Sequence, residues 1–266
     1  MTDLSYDRRG SGPPLLLIHG LGSHRQVWTP ILDEVARHRD VIALDLPGFG
    51  ESPLWSPAGD GGSVAHLAGV VESFLDRLGV ERPEVAGSSL GGGIALELGR
   101  RGHARTVTAF APIGFWNGAG RRWSQASVTT ARAAARRLGP RLPRIMANSA
   151  GRAALCGLFY ARPGRLDPAD CVAAARALAA APGFDAARDA FSALRPWASA
   201  DTSPLTRIPV TIAWGTRDAV LPFPQSRRAR AVLPSARHVT LAGCGHLPFA
   251  DDPAACVTAL LSPPAR

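Results

Sequence analysis

Lysine is absent from this chain. All 30 basic residues are arginine, set against 21 acidic ones, for a formal charge of +9 over 266 residues. Together with the alanine-rich segments, this is the composition expected of a protein encoded in a GC-rich genome. Long apolar runs are missing too. No 18-residue apolar span occurs, and Met1 to Asp7 shows no apolar signal region, so neither a membrane helix nor a secretory leader is expected and a cytoplasmic location is the default. Cysteine is sparse: Cys156, Cys171, Cys244 and Cys256 have neither zinc-type nor redox-type spacing, which predicts free thiols in a reducing compartment. Acid is missing from one long stretch, with no Asp or Glu from 98 to 166. Segment 117–200 holds 13 arginines and 4 aspartates, while the remainder holds 17 arginines and 17 acids. The positive excess therefore sits in one segment. No motif supports nucleic-acid binding.

What is present is an alternation. Short apolar runs bounded by turn residues occur at Leu15 to Ile18, Val41 to Leu44, Val85 to Ala86, Val107 to Phe110, Val210 to Trp214 and His238 to Leu241. Continuous apolar strands of this kind belong to parallel sheets buried on both faces. Helical periodicity appears between them, at 64–78 and 90–102, and predicts a doubly wound, mostly parallel α/β sheet. Leu4 to Arg8 is expected to add an antiparallel edge strand. The alternation stops near Phe115 and resumes near Ser203. The interval has helical stretches near 124–138, 141–160 and 168–181, and reads as an insertion between core strands. The expected division is a core of 1–115 and 204–266 and a helical insertion of 116–203, with a frayed tail from Ser262. The chain is long enough to bury a sizeable core.

The run Val85-Ala86-Gly87-Ser88-Ser89-Leu90-Gly91 places a serine between glycines two positions away on either side. This is the Gly-x-Ser-x-Gly elbow, a strand-to-helix turn that strains the serine backbone and exposes its hydroxyl. Side chains at either glycine would collide across so sharp a turn. Ser88 has Ala86 and Leu90 at those offsets, so Ser89 is the candidate nucleophile. Gly-Ser clusters are more often ordinary turns, and the pattern gains weight only with a base, an acid and oxyanion donors.

A serine hydroxyl needs a neighbouring base, and the base needs an acid to hold its tautomer. Of seven histidines, His246 follows the last strand in Gly243-Cys244-Gly245-His246-Leu247-Pro248, at a strand's carboxyl end where such sheets gather functional groups. Asp218 follows the Val210 to Trp214 strand. The position after the preceding strand is empty of acid, and Asp251 and Asp252 are expected to start the final helix near Pro253. Asp218 is thus the acid by position and by elimination. The oxyanion donors are expected to be the backbone N–H of Leu90 and that of Leu21, in the loop His19-Gly20-Leu21-Gly22. His19 is expected to brace that loop.

These motifs, in this order, resemble the α/β-hydrolase superfamily, specifically its single-cap serine hydrolases of the esterase and lipase type. Asp45-Leu46-Pro47-Gly48-Phe49-Gly50-Glu51-Ser52 resembles the family's loop after the next strand, and Gly-x-Gly-His-x-Pro its histidine loop. The likeness covers 1–115 and 204–262 but not the insertion, which as a cap diverges widely in the family. Dehalogenases and epoxide hydrolases of this fold carry an aspartate at the elbow, which Ser89 replaces. The resemblance implies cleavage of a carboxylic ester of a small acyl substrate, with no metal or organic cofactor. Thioester hydrolysis, carbon–carbon bond hydrolysis and cofactor-free perhydrolysis use the same triad, and a ligand receptor on this fold is the reading from another class. Oligomeric state stays open.

An apolar pocket is expected under the cap, lined by Phe115, Trp116, Trp123 and Phe159 with Leu221 and Leu247 from core loops. Any one of these aromatic residues is as readily explained by packing between cap helices. The positive charge could steer an anionic substrate or touch an anionic surface, but a solvated arginine-biased face is the favoured reading. On that reading, raising the salt concentration leaves the ratio of kcat/KM for anionic and neutral esters unchanged; a ratio that falls with salt would establish steering.

Overall fold

The computed structural model describes residues 3–54 and 61–262; the tail beyond 262, expected to fray, lies outside them. Its centre is a seven-stranded sheet: β1 (Tyr6–Arg9), β2 (Pro14–Ile18), β3 (Asp40–Leu44), β4 (Glu84–Ser88), β5 (Thr106–Phe110), β6 (Val210–Gly215) and β7 (Arg237–Leu241). The spatial order is β1-β3-β2-β4-β5-β6-β7. Only β1 is antiparallel, pairing Tyr6 with Leu44 and Arg9 with Val41 on β3. Five of the six apolar runs become the inner strands, with β4 and β6 buried at every position, whereas His238 to Leu241 falls in β7 at the sheet edge, where only Leu241 is buried.

Helices cover both faces. On one side α1 (Thr29–Ala36) and α10 (Pro253–Leu261) pack Ile31, Val35, Cys256 and Leu260 against the sheet. On the other lie α2 (Val64–Leu78) and α3 (Leu90–Arg101). The α2 sequence explains its own bounds. Ser63 caps it by accepting the His66 N–H, Gly79 ends it in the left-handed region at φ 64°, and Val64, Leu67, Ala68, Val71, Phe74 and Leu75 form its buried stripe. That spacing is the helical period that the sequence displays.

Between β5 and β6 the chain forms α4 (Gly118–Leu138), α5 (Leu142–Met146), α6 (Ser149–Cys156), α7 (Pro168–Ala180) and α8 (Phe184–Ala193). The single helix expected over 141–160 is instead broken, because the Asn148 side chain accepts the Gly151 N–H at 2.7 Å and starts a new helix. Likewise α4 begins six residues before the expected start at 124, where Asn117 caps it, and α8 was not foreseen. Leu142, Met146, Cys156, Cys171 and Val172 form a small core of their own. Two of the segment's arginines are buried and structural: Arg132 pairs with Asp185 at 2.8 Å, and Arg152 donates to the carbonyls of Met146 and Gly164. After β6 come α9 (Gln225–Val232), β7 and α10. Among the described residues, no helix is long and apolar enough to cross a membrane.

The chain leaves β2 toward β3 on one side and returns to β4 on the other, so the carboxyl ends of β2 and β4 flank the switch point where ligands bind in such sheets. There α3 presses hard on β2. A methyl group on Gly91 would sit 2.2 Å from the Ile18 carbonyl oxygen and 2.5 Å from that of His19. Gly91→Ala is expected to lower unfolding free energy by about 3 kcal/mol, since neither backbone can give way freely. A urea midpoint within error of wild type would contradict this.

Candidate active site

Ser89 stands between the last residue of β4 and the first of α3, with φ 56° and ψ −113°. A non-glycine residue there carries strain of about 1–3 kcal/mol. Three backbone hydrogen bonds hold it. Its N–H donates to the Phe110 carbonyl at 2.9 Å, and its own carbonyl accepts from Gly93 at 3.0 Å and Ile113 at 3.2 Å. The turn is tight enough that a methyl on Gly87 would lie 2.0 Å from the Gly91 carbonyl oxygen. Ser88 is fully buried.

The loop after β2 lies against this elbow, its Gly20 Cα so near that an added Cβ would be 3.1 Å from Ser89 Cβ. That contact brings the next residue, Leu21, to the serine. The amide N–H groups of Leu21 and Leu90 donate to no acceptor among the described residues. They are the two expected oxyanion donors.

His246 and Asp218 come together from the ends of β7 and β6. The His246 Nδ1 to Asp218 Oδ2 distance is 2.8 Å, and both side chains are almost wholly buried. The other carboxylate oxygen, Oδ1, accepts the N–H groups of Val220 at 2.9 Å and Leu221 at 2.8 Å. These bonds fix the carboxylate plane, and the carboxylate in turn fixes the ring, leaving Nε2 as the imidazole's free nitrogen. The two loops also meet through their backbones, the Arg217 N–H donating to the Cys244 carbonyl at 2.9 Å.

The predicted pocket residues separate. Phe115, Trp116 and Leu221 are buried, and Trp116 stacks on Phe191 of α8 at 5.3 Å. Phe159 and Leu247 are half-buried and joined by a hydrogen bond from the Leu247 N–H to the Phe159 carbonyl. Trp123 stands apart. It is 53% exposed on α4, with its indole N–H donating to the Ala219 carbonyl at 2.8 Å.

Several supporting groups lay beyond sequence reasoning. Asp45 is fully buried and accepts from the backbone N–H groups of Arg25 at 2.6 Å and Glu51 at 2.9 Å, and from the Arg25 guanidinium. The Asp45–Ser52 loop is thereby tied to the turn after the oxyanion loop. The two aspartates before α10 divide their work. Asp252 caps the helix as expected, but Asp251 turns away and accepts from Ala161, Arg162 and Gly245.

The family model that matches this chain is described as the alpha/beta hydrolase fold, over residues 13–253. The chain belongs to that family. An uncharacterized protein of Mycobacterium tuberculosis is 33% identical to it, over 92% of this chain and 73% of that protein. Among solved structures, a thermophilic esterase from Thermogutta terrifontis matches with a TM-score of 0.71 at 22% identity, covering 96% of this chain and 90% of its own. The enol-lactonase from Burkholderia xenovorans matches with a TM-score of 0.72 at 20% identity, covering 98% and 95%. At those identities the structural matches speak for the fold.

His19 braces the loop after β2 as a neutral ring. Its Nε2 accepts the Leu46 N–H at 2.9 Å, which puts the proton on Nδ1, facing the Gly20 carbonyl at 2.7 Å. Complete burial pushes its pKa down to about 4. Because the unfolded chain binds that proton near pH 6.5, the contribution is full above 6.5 and is lost as pH falls toward 4, by on the order of 3 kcal/mol. His19→Gln is expected to lower Tm at pH 7 and to flatten the decline of Tm between pH 6.5 and 4. An unchanged slope would remove His19 from this role.

Proposed function

We propose that the protein is a serine hydrolase that cleaves a carboxylic ester, or a related acyl bond, of a small and mostly apolar substrate. Family membership supports a hydrolase. The observation that supports the finer reading is the buried His246–Asp218 hydrogen bond at 2.8 Å, in a fold that carries the strained Ser89 turn after β4 and two amide N–H groups without acceptors among the described residues. Each is a part that acyl transfer requires, and together they come from the carboxyl ends of β2, β4, β6 and β7.

In the proposed cycle Ser89 Oγ attacks the substrate carbonyl carbon while His246 Nε2 takes its proton. The Leu21 and Leu90 N–H groups hold the oxygen on which negative charge develops. Protonated His246 gives the proton to the leaving alkoxide, the carbonyl re-forms, and an acyl ester on Ser89 remains. Water then repeats the sequence with His246 as base, releasing the carboxylic acid. Asp218 holds the ring throughout. In this reading 116–203 acts as a cap, with Phe115, Trp116, Phe159, Leu221 and Leu247 supplying the apolar walls. Trp123, expected as a further wall, is 53% exposed and reaches the loop after Asp218 through its bond to the Ala219 carbonyl.

A fluorophosphonate probe is expected to label wild-type protein stoichiometrically at Ser89 and to leave Ser89→Ala unlabelled. Turnover of a p-nitrophenyl ester should fall in that variant by about 10⁴-fold or more. Full turnover in folded Ser89→Ala would end the mechanism, and a wild-type protein inert to probe and substrates would favour a receptor. A panel of esters, thioesters and diketones ranks the acyl bonds that share this triad.

A further inference from the structure

The Asp251 carboxylate lies five residues beyond His246, buried to 7% exposure, and takes three backbone N–H donors from two distant parts of the chain. Oδ2 accepts from Ala161 at 2.9 Å and from Gly245 at 2.8 Å, and Oδ1 accepts from Arg162 at 2.9 Å. Gly245 directly precedes His246, whereas Ala161 and Arg162 follow α6 in the helical insertion, some 90 positions earlier in sequence. A fourth bond, from the Leu247 N–H to the Phe159 carbonyl at 2.9 Å, lies on the other side of the histidine. Both neighbours of His246 are thus tied to segment 159–162.

Packing reinforces the tie. An added methyl on Gly245 would fall 2.7 Å from the Phe159 carbonyl oxygen, 2.8 Å from the Ala161 nitrogen and 2.9 Å from the Tyr160 carbonyl carbon. The two backbones meet with no side chain between them, and the carboxylate closes the gap from above.

We infer that Asp251 is a positioning residue that clamps the helical insertion onto the loop carrying His246, so that insertion and imidazole are placed by a single carboxylate. The inference concerns how His246 is held and, for its kinetic part, rests on the hydrolase reading above. The chemistry of the acceptor explains why an aspartate stands there. A carboxylate offers two oxygens with about four lone-pair directions to three donors. An asparagine offers one oxygen and turns an NH₂ toward at least one N–H, leaving a buried donor unmet. Release of the Gly245 N–H frees the peptide that sets the His246 backbone, and an error of about 1 Å there costs about 10²-fold in rate.

Two variants test this against a control. Asp251→Asn removes the second acceptor oxygen, while Gly245→Ala keeps the carboxylate and pries the backbones apart. Asp252→Ala removes only the α10 cap beside them. The expected result is a fall in kcat on p-nitrophenyl acetate of about 10- to 100-fold in the first two, with wild-type kcat in the third despite a lower Tm. A spectroscopic readout is independent of turnover: the low-field ¹H NMR resonance of the imidazole N–H shared with Asp218, identified by its loss in Asp218→Asn. It is expected to shift or broaden away in Asp251→Asn and Gly245→Ala and to persist in Asp252→Ala.

Wild-type kcat and an unshifted resonance in a folded Asp251→Asn or Gly245→Ala protein would overturn the inference. So would the same losses in Asp252→Ala, because the effect would then be general loosening. If wild-type protein neither turns over esters nor takes the probe, the hydrolase reading fails by itself, and the resonance still decides whether Asp251 places His246.

Discussion

The approach of α3 to the end of β2 is the contact on which the site depends. Without a side chain at Gly91, the first turn of α3 rests on the carbonyls of Ile18 and His19. That proximity sets the serine elbow beside the loop after β2, where an added Cβ on Gly20 would lie 3.1 Å from Ser89 Cβ. The strain at Ser89 is a consequence of the same contact, since only a left-handed backbone there turns β4 into α3 within one residue. Hydrogen bonds to Phe110, Gly93 and Ile113 keep that conformation from relaxing.

A second layer holds these parts in place. His19 reads the Leu46 N–H and the Gly20 carbonyl as a neutral ring, so the oxyanion loop is fixed to the loop after β3 without a buried charge at that point. The charge lies one step further out, where Asp45 gathers the Arg25 guanidinium and two backbone amides. Removing either partner of a buried pair strands the other and typically costs about 3–5 kcal/mol. Asp218 uses the same device, receiving two amides before it meets His246.

The fold and the candidate triad were legible because both rest on local constraints. Apolar runs marked the inner strands, Gly87 and Gly91 marked a turn too tight for Cβ atoms, and a long stretch free of acid left Asp218 as the candidate partner of His246. The breaks in the insertion were less visible. Asn117 and Asn148 cap helices, but in an arginine- and alanine-rich context an asparagine does not announce whether its side chain will turn back on the chain. The partners of Asp45 and Asp251 were hidden for another reason. Each carboxylate gathers donors brought together only by folding, and a backbone N–H has no letter in the sequence. Trp123 was equally hard to place from sequence, since neither its 53% exposure nor its bond to the Ala219 carbonyl has a local signal.

The insertion shares the main core through Phe184, Ala187 and Phe191, and its backbone is seated at several fixed points besides. Leu178 of α7 fills the space a side chain would take on Gly22, the Gly183 N–H donates to the Gly48 carbonyl, and segment 159–162 seats on Gly245 and Asp251. These are loops after three different strands, and together they work like the sockets of an interchangeable tool head. A different set of helices would have to present an apolar tip, an amide and a bare stretch of backbone at those three places. Diversification of the insertion is therefore free in its outer helices and tightly bounded where it touches the core.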